Sequence, residues 1–282
     1  MIEGLAAVIL SLNEEKRIGR CVESLVPLAQ TLIVFDSGST DATLDIVAKT
    51  WKQAGRRQSD LWIISQKWRG FLKTRNESLD WAQSHKWILW LDSDEWISSE
   101  LSQELKDFFS ELKQREPVCV KIPRLSFYRG RAIRHSGWFP DKKYRLGRSG
   151  KVVWRGGPDG AQVHEDLFPT TGERENQSLE FKGFIYHEPF LTLEEHRDTN
   201  KRYALLLAEA KFNQMERQGK IAFPGRAYIQ IKACIKFIEN FIFKFGFLDG
   251  ISGLVICWES ARGMKMRLER LRELVERAQS PS

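Results

Sequence analysis

Cysteine is scarce, with four residues in 282 (Cys21, Cys119, Cys234 and Cys257) and no C-x-x-C pair. That scatter excludes a zinc knuckle or a disulfide framework and suits a reducing compartment. Long apolar runs are absent too. No stretch reaches ~18 uninterrupted apolar residues, so no spanning helix is expected. The opening MIEGLAAVILSLNEE has no basic n-region, and its short apolar run soon meets Glu14 and Glu15. It reads as a buried first strand, not as a leader. Internal repeats and low-complexity segments are also missing.

What is present is an ordinary globular composition, 42% hydrophobic and 29% charged. A chain of this length can bury one large core, or one core plus a smaller appended unit. The net charge of +7 is unevenly distributed. Residues 1–196 carry 28 Lys+Arg against 28 Asp+Glu, whereas residues 197–282 carry 16 against 9 and hold the entire excess. A basic tail suits anionic lipid, nucleic acid or an acidic acceptor, and charge alone does not choose among them.

Over the first hundred residues, strand-like runs alternate with helical stretches. Leu5–Leu10, Thr31–Phe35, Leu61–Ile64 and Trp87–Leu91 read as strands, and residues 17–28 and 70–83 as helices. A further helix starts near Ser39-Thr40-Asp41, with Leu44, Val47, Ala48 and Trp51 at helical spacing and Ser39 or Thr40 as the cap. Apolar strands alternating with helices imply a parallel sheet with crossover helices. In such sheets the ligand crevice lies outside the carboxyl ends of the strands. The polar clusters fall at those ends: Asn13-Glu14, Asp36, and Asp92 with Asp94. Residues 117–190 change character, rich in Arg, Gly, Pro and aromatics, and read as short strands and long loops covering the sheet's open edge.

Asp92-Ser93-Asp94-Glu95 is the sharpest local signal, because an apolar strand drives straight into three carboxylates. Carboxylates past a strand end can hold Mg²⁺ or Mn²⁺ together with phosphate oxygens. They can equally cap a helix and meet its dipole. Asp36 and Ser37 likewise read as an Asx-type turn, with Gly38 easing the bend.

In order along the chain, four segments resemble the motifs of the family-2 glycosyltransferases. They are Ser11-Leu12-Asn13-Glu14-Glu15, Asp36-Ser37-Gly38-Ser39-Thr40-Asp41, Gly70 through Arg75-Asn76, and Asp92-Ser93-Asp94. The resemblance implies a GT-A fold: an α/β, Rossmann-like, mostly parallel sheet flanked by helices, here followed by a C-terminal helical region. It also implies roles. Asn13, Glu14, Asp36 and Arg75 would hold the nucleoside, Asp92 would lie near the ribose or metal, and Asp94 would be the direct metal ligand. Many members carry a second Asp where this chain has Ser37, which leaves the base of the nucleotide open.

The second half is similar to a narrower group, the glycosyltransferases that build the bacterial lipopolysaccharide core. Residues 137–146, Val163-His164-Glu165, Tyr186-His187 and Phe245–Gly250 carry that similarity. It marks Glu165 as the base for an inverting transfer, with Asp166 as the alternative. A carboxylate within reach of the acceptor hydroxyl takes its proton as that oxygen attacks the anomeric carbon from behind. The same residues, 164–166, also read as an exposed polar loop. His187 is a further metal or diphosphate ligand, or a structural histidine beside Tyr186. Lys142, Lys143, Arg145 and Arg155 could meet diphosphate or phosphorylated sugars.

In the basic tail, residues 228–245 place Ile231, Ile235, Ile238, Phe241, Ile242 and Phe245 on one side. Lys232, Lys236, Asn240 and Lys244 follow i, i+4 spacing on another. Such a helix fits either an anionic membrane surface, through residues 226–272, or packing on the catalytic domain. Residues 246–250 read as a turn and 254–274 as a second helix.

The expected organisation is a GT-A catalytic domain over 1–192, with a nucleotide-binding half at 1–100 and an acceptor-side half at 117–190. A basic amphipathic helical region follows at 193–282. The expected activity is inverting hexosyl transfer from a nucleotide-sugar, UDP-linked by resemblance, to a lipopolysaccharide-core or similar lipid-linked glycan. Mn²⁺ or Mg²⁺ would assist departure of the nucleoside diphosphate, in the cytoplasm or peripherally on the inner face of the cytoplasmic membrane. A sugar nucleotidyltransferase is a second reading, opposed by the lack of a Gly-rich phosphate loop after the first strand. A non-catalytic basic binding protein is a third. Ten Trp could stack on nucleic acid, but the charge is confined to one amphipathic region, so nucleic acid is not expected.

Overall fold

A computed structural model of the chain describes residues 1–111, 117–156, 165–170, 179–219 and 225–279. They form two compact units. One comprises the described residues within 1–125, 141–157 and 162–187, the other those within 126–140 and 188–282.

The first unit is built on a sheet. In chain order its early elements are β1 (Leu5–Ser11), α1 (Ile18–Leu25), β2 (Thr31–Asp36), α2 (Thr43–Gln53), β3 (Leu61–Ser65), α3 (Phe71–Ala82), β4 (Trp87–Asp92), β5 (Glu95–Ile97) and α4 (Ser99–Glu111). Then come β6 (Cys119–Tyr128), β7 (Arg131–Ala132), β8 (Asp141–Arg148), β9 (Val152–Arg155), β10 (Asp166–Pro169), β11 (Leu179–Glu180) and β12 (Ile185–His187). The strand order is β3-β2-β1-β4-β8-β6-β12-β5. β3, β2, β1 and β4 run parallel, and β8 and β6 then continue the sheet antiparallel.

Successive residues of a strand point to opposite faces, and each face here finds a core. Leu5, Ala7 and Ile9 of β1 join Val34, Leu89 and Leu91 beneath α1, α2 and α4. Ala6, Val8, Ile33, Phe35, Ile88 and Trp90 face the other way, towards Leu72 and Leu79 of α3. This two-sided burial is why the strands lack polar alternation. The antiparallel part differs from expectation: β6 and β8 join the sheet instead of covering its edge, and β9 and β10 form a separate ribbon. The first helix is shorter than its apolar pattern: Val26 is still helical in its backbone, but Pro27 has no N–H with which to continue the ladder.

The second unit contains β7 and the helices α5 (Leu193–Arg217), α6 (Arg226–Ile238) and α7 (Gly250–Gln279). Between α6 and α7 lie a π turn, Glu239–Phe243, and a 3₁₀ turn, Gly246–Asp249. The expected continuous helix to residue 245 therefore ends early. α5 meets α7 through Ala208, Met215, Leu271 and Val275, and a second cluster joins Tyr128, Ile133 and Ile256. Thr192 caps α5 by accepting the Glu195 N–H.

Candidate active site

The polar residues after β1, β2 and β4 stand at neighbouring strand ends, because Ser11 is level with Asp36 and Leu10 with Asp92 in the parallel register. The loops after β1 and β2 are tied together. Asn13, with φ 55°, accepts the Thr40 N–H at 2.8 Å, and its own N–H donates to Ser39 Oγ at 2.9 Å. The Glu14 N–H donates to Thr43 Oγ1 at 2.7 Å, and the Glu14 carboxylate pairs with Arg17 at 2.7 Å. Asp36, 2% exposed, accepts the N–H groups of Gly38 and Ser39 at 3.0 and 2.9 Å and the Ser39 hydroxyl. Its Asx-type turn is thus real. Helix α2 is capped differently from expectation: Asp41 accepts the Thr43 N–H at 3.0 Å, while Ser39 and Thr40 serve Asn13.

After β4 the chain turns at Ser93-Asp94 and runs directly into β5, so the helix-capping reading of these acids does not hold; α4 begins only at Ser99. Asp92 receives two arginines, Arg75 Nη2 at 2.7 Å and Arg145 Nη2 at 2.8 Å. Arg75 also reaches Glu165 through Nε at 2.9 Å and lies 4.6 Å from the Trp154 ring centroid. Glu95, fully buried, binds Arg145 and Arg124 at 2.9 Å each and accepts the Asp92 N–H at 3.0 Å. Arg124 closes the chain of charges on Asp141 at 2.6 Å. Such charges are tolerated inside a protein because each is paired.

Burial pushes the Asp92 carboxyl up, but Arg145 and Arg75 outweigh it and hold the group well below the usual carboxylate range. Asp94 shows the same balance, with His187 overcoming burial. Four atoms of this network have no hydrogen-bond partner among the described residues: Arg75 Nη1, Arg145 Nε and Nη1, and Glu165 Oε2.

His187 stands beside Asp94, Nε2 to Oδ2 3.3 Å, because β12 pairs antiparallel with β5 and sets His187 opposite Glu95. Arg75, Asp92 and Glu165 are therefore brought together, and Asp94 with His187. Asp166 is not in the network; it starts β10 and accepts the Leu167 N–H at 3.1 Å. Lys142 and Lys143 pair with Glu180 and Asp141, and Arg155 reaches the Pro169 carbonyl at 3.5 Å and lies 5.6 Å from the Phe168 ring centroid. Val163 and His164 lie outside the described residues.

Sequence reasoning overlooks Arg124 and the role of Asn76, which clamps β9 through the Trp154 N–H and C=O, both at 3.0 Å. For Arg124 the available signal is a charge amid the buried residues of β6.

The mixed sheet flanked by helices is the GT-A fold, and the chain belongs to glycosyl transferase family 2, whose profile matches residues 6–161. An uncharacterized glycosyltransferase of Rickettsia typhi is 25% identical over 280 residues, covering 96% of this chain and 87% of its own. The lipopolysaccharide core biosynthesis glycosyltransferase LpsC of Rhizobium meliloti is 30% identical over 194 residues, 66% of each chain. Among solved structures, S. aureus TarS 1-349 in complex with UDP has a TM-score of 0.46 at 16% identity, covering 99% of this chain and 93% of that one.

Proposed function

We propose that this protein is an inverting hexosyltransferase that moves a sugar from a nucleotide-sugar, UDP-linked in the first instance, to a lipopolysaccharide-core or similar lipid-linked glycan. The observation that carries the reading is the charge network on Asp92, in a chain of glycosyl transferase family 2. Arg75 and Arg145 keep buried N–H groups that find no acceptor among the described residues, and anionic diphosphate oxygens are the acceptors such donors suit. Asn13, Glu14 and Asp36 would contact the nucleoside from the tied loops after β1 and β2.

Glu165 serves as the base. Its Oε1 is fixed by Arg75 while Oε2 has no partner among the described residues, so the second oxygen can take the proton of an acceptor hydroxyl. As that proton leaves, the acceptor oxygen bonds to the anomeric carbon, and the bond to the diphosphate breaks on the opposite face. Asp166, held by its neighbouring N–H, is the second candidate.

A divalent ion fits the donor set, since Asp94 and His187 offer a carboxylate oxygen and an imidazole nitrogen side by side. No cluster of three protein ligands occurs among the described residues, so an ion held by Asp94 and His187 would draw the rest of its shell from diphosphate oxygens and water. Bound there, the ion would neutralise charge on the leaving group. A lipid-linked acceptor would place the reaction at the inner face of the cytoplasmic membrane, with the basic 193–282 region towards it.

The test is calorimetric titration of UDP, GDP, ADP and CMP with and without Mn²⁺, on the native protein and on Asp94→Ala. One nucleotide should bind tightly, and its affinity should fall about tenfold or more without metal or without Asp94. Well-folded protein that binds none of the four sinks the reading. Release of pyrophosphate from the sugar nucleotide, in place of a nucleoside diphosphate, would point to nucleotidyl transfer.

A further inference from the structure

Twelve of the twenty-one exposed large apolar side chains among the described residues lie within residues 228–258. On α6 and the π turn after it, Tyr228, Ile231, Ile235, Ile238 and Ile242 recur every three or four residues, and all are exposed. A helix of a globular protein turns such a stripe inward. Here the buried positions are Ile229 and Asn240, and the apolar stripe faces out. The first turns of α7 repeat the pattern with Ile251, Leu254 and Trp258, at 75%, 45% and 61% exposure.

The corner joining them is built to stay in place. Asp249 accepts the N–H groups of Arg134 and His135 at 3.2 and 3.0 Å and the Ser136 hydroxyl at 2.9 Å. Gly253 lies so close to the Gly246 carbonyl that an added methyl would overlap it. Phe245 sits at φ 52°, a left-handed conformation that bulky side chains adopt only where their surroundings force it. The fold therefore holds Phe243, Phe245, Phe247 and Leu248 outward, and Phe243 is 73% exposed.

The rim decides what covers this surface. Lys232, Lys236 and Lys244 lie on the same elements, and Lys232 stands 5.5 Å from the Tyr228 ring centroid. Of the acids in the same stretch, Asp249 and Glu259 are buried, and Glu239 is paired with Lys236 and Lys244. An apolar corner with a cationic rim complements hydrocarbon beneath anionic headgroups. Neither helix alone is long and apolar enough to cross a membrane; Arg226–Phe243 and Gly246–Gln279 qualify only together, and they bend by 72°. That shape suits shallow entry.

We propose that the corner between α6 and α7 is a monotopic membrane anchor. Phe243, Phe247, Leu248 and Ile251 enter the acyl region of an anionic bilayer, and the lysines lie among its headgroups. This deepens the membrane-facing part of the proposed function and rests on it.

The experiment uses the full chain carrying Cys234→Ser, with an environment-sensitive fluorophore on Phe243→Cys or, as a control, on Ala278→Cys. Vesicles of phosphatidylcholine with and without phosphatidylglycerol are the probes. The protein should sediment with the anionic vesicles, and only the label at position 243 should shift to the blue. Phe243→Ser with Ile251→Ser should weaken vesicle binding by about tenfold or more while nucleotide affinity stays unchanged. Absence of binding at low salt overturns the proposal. So does salt-sensitive adsorption with both labels remaining in water, or a dimer abolished by the serine variant, which would make a second copy the occupant. Loss of nucleotide binding in the native protein with vesicle binding intact would remove the transferase reading alone.

Discussion

Arg75 holds two carboxylates at once, Asp92 through Nη2 and Glu165 through Nε, so one guanidinium orients the proposed base and the acid after β4 together. A lysine is a point charge on a flexible stem and cannot reproduce that fork. Arg75→Lys should lower turnover by about a hundredfold, measured as kcat/KM with the preferred sugar nucleotide. Arg75→Ala should also cost about 3 kcal/mol of stability in urea, because it strands the buried Glu165 and takes from Asp92 one of its two arginines. Removing Glu165 as well should cost less than the sum of the single changes. Additive losses would mean that the two groups act separately.

Among the elements, α5 carries a buried polar group with a measurable signature. His196 contacts the Tyr128 hydroxyl at 3.2 Å and stacks on Phe190 at 4.3 Å, with Glu259 and Arg197 as the neighbouring charges. Burial pushes its imidazole down to about 4. The folded state thus binds this proton less readily than the unfolded chain does. Stability from this group is complete above pH 6.5 and falls as the pH drops towards 4, by about 3 kcal/mol. Urea midpoints of native protein and His196→Gln, compared between pH 7 and pH 4, should show the steeper decline in the native chain. Parallel profiles would assign the acid sensitivity elsewhere.

The elements also show what the sequence makes legible. β1, β2 and β4 are readable because both faces are buried, leaving unbroken apolar runs that end in the site's polar residues. Asp92 and Asp94 stand out for that reason, whereas Arg75, inside α3, is marked by the family resemblance. Arg124, Arg145 and Glu95 lie inside strands, where a charge looks like a solvent-facing position until register joins it to its partner. The second half of the sheet is obscure because β11 and β12 are only two and three residues long, too short for periodicity to register. The apolar stripe of α6 is legible as a stripe, but its direction depends on packing.

For the whole molecule, two cores divide the chain out of sequence order. Residues 126–140 pack with the helices, where Tyr128 and Ile133 meet Ile256 and Trp138. A chain ending at residue 192 should therefore leave that aromatic cluster uncovered. It should bind a hydrophobic dye and elute as aggregates, whereas a monodisperse, dye-silent product would show that the hairpin finds other cover.

The pairing of β12 with β5 works like an address. Successive side chains of a strand alternate between faces, so Asp94 meets an imidazole only while His187 lies level with Glu95. Sliding β12 by one residue would present Tyr186 on the opposite parity and carry the histidine away. The segment between Glu180 and Ile185 is therefore a ruler: gaining or losing a single residue there would move the histidine off its partner, although no site residue had been replaced.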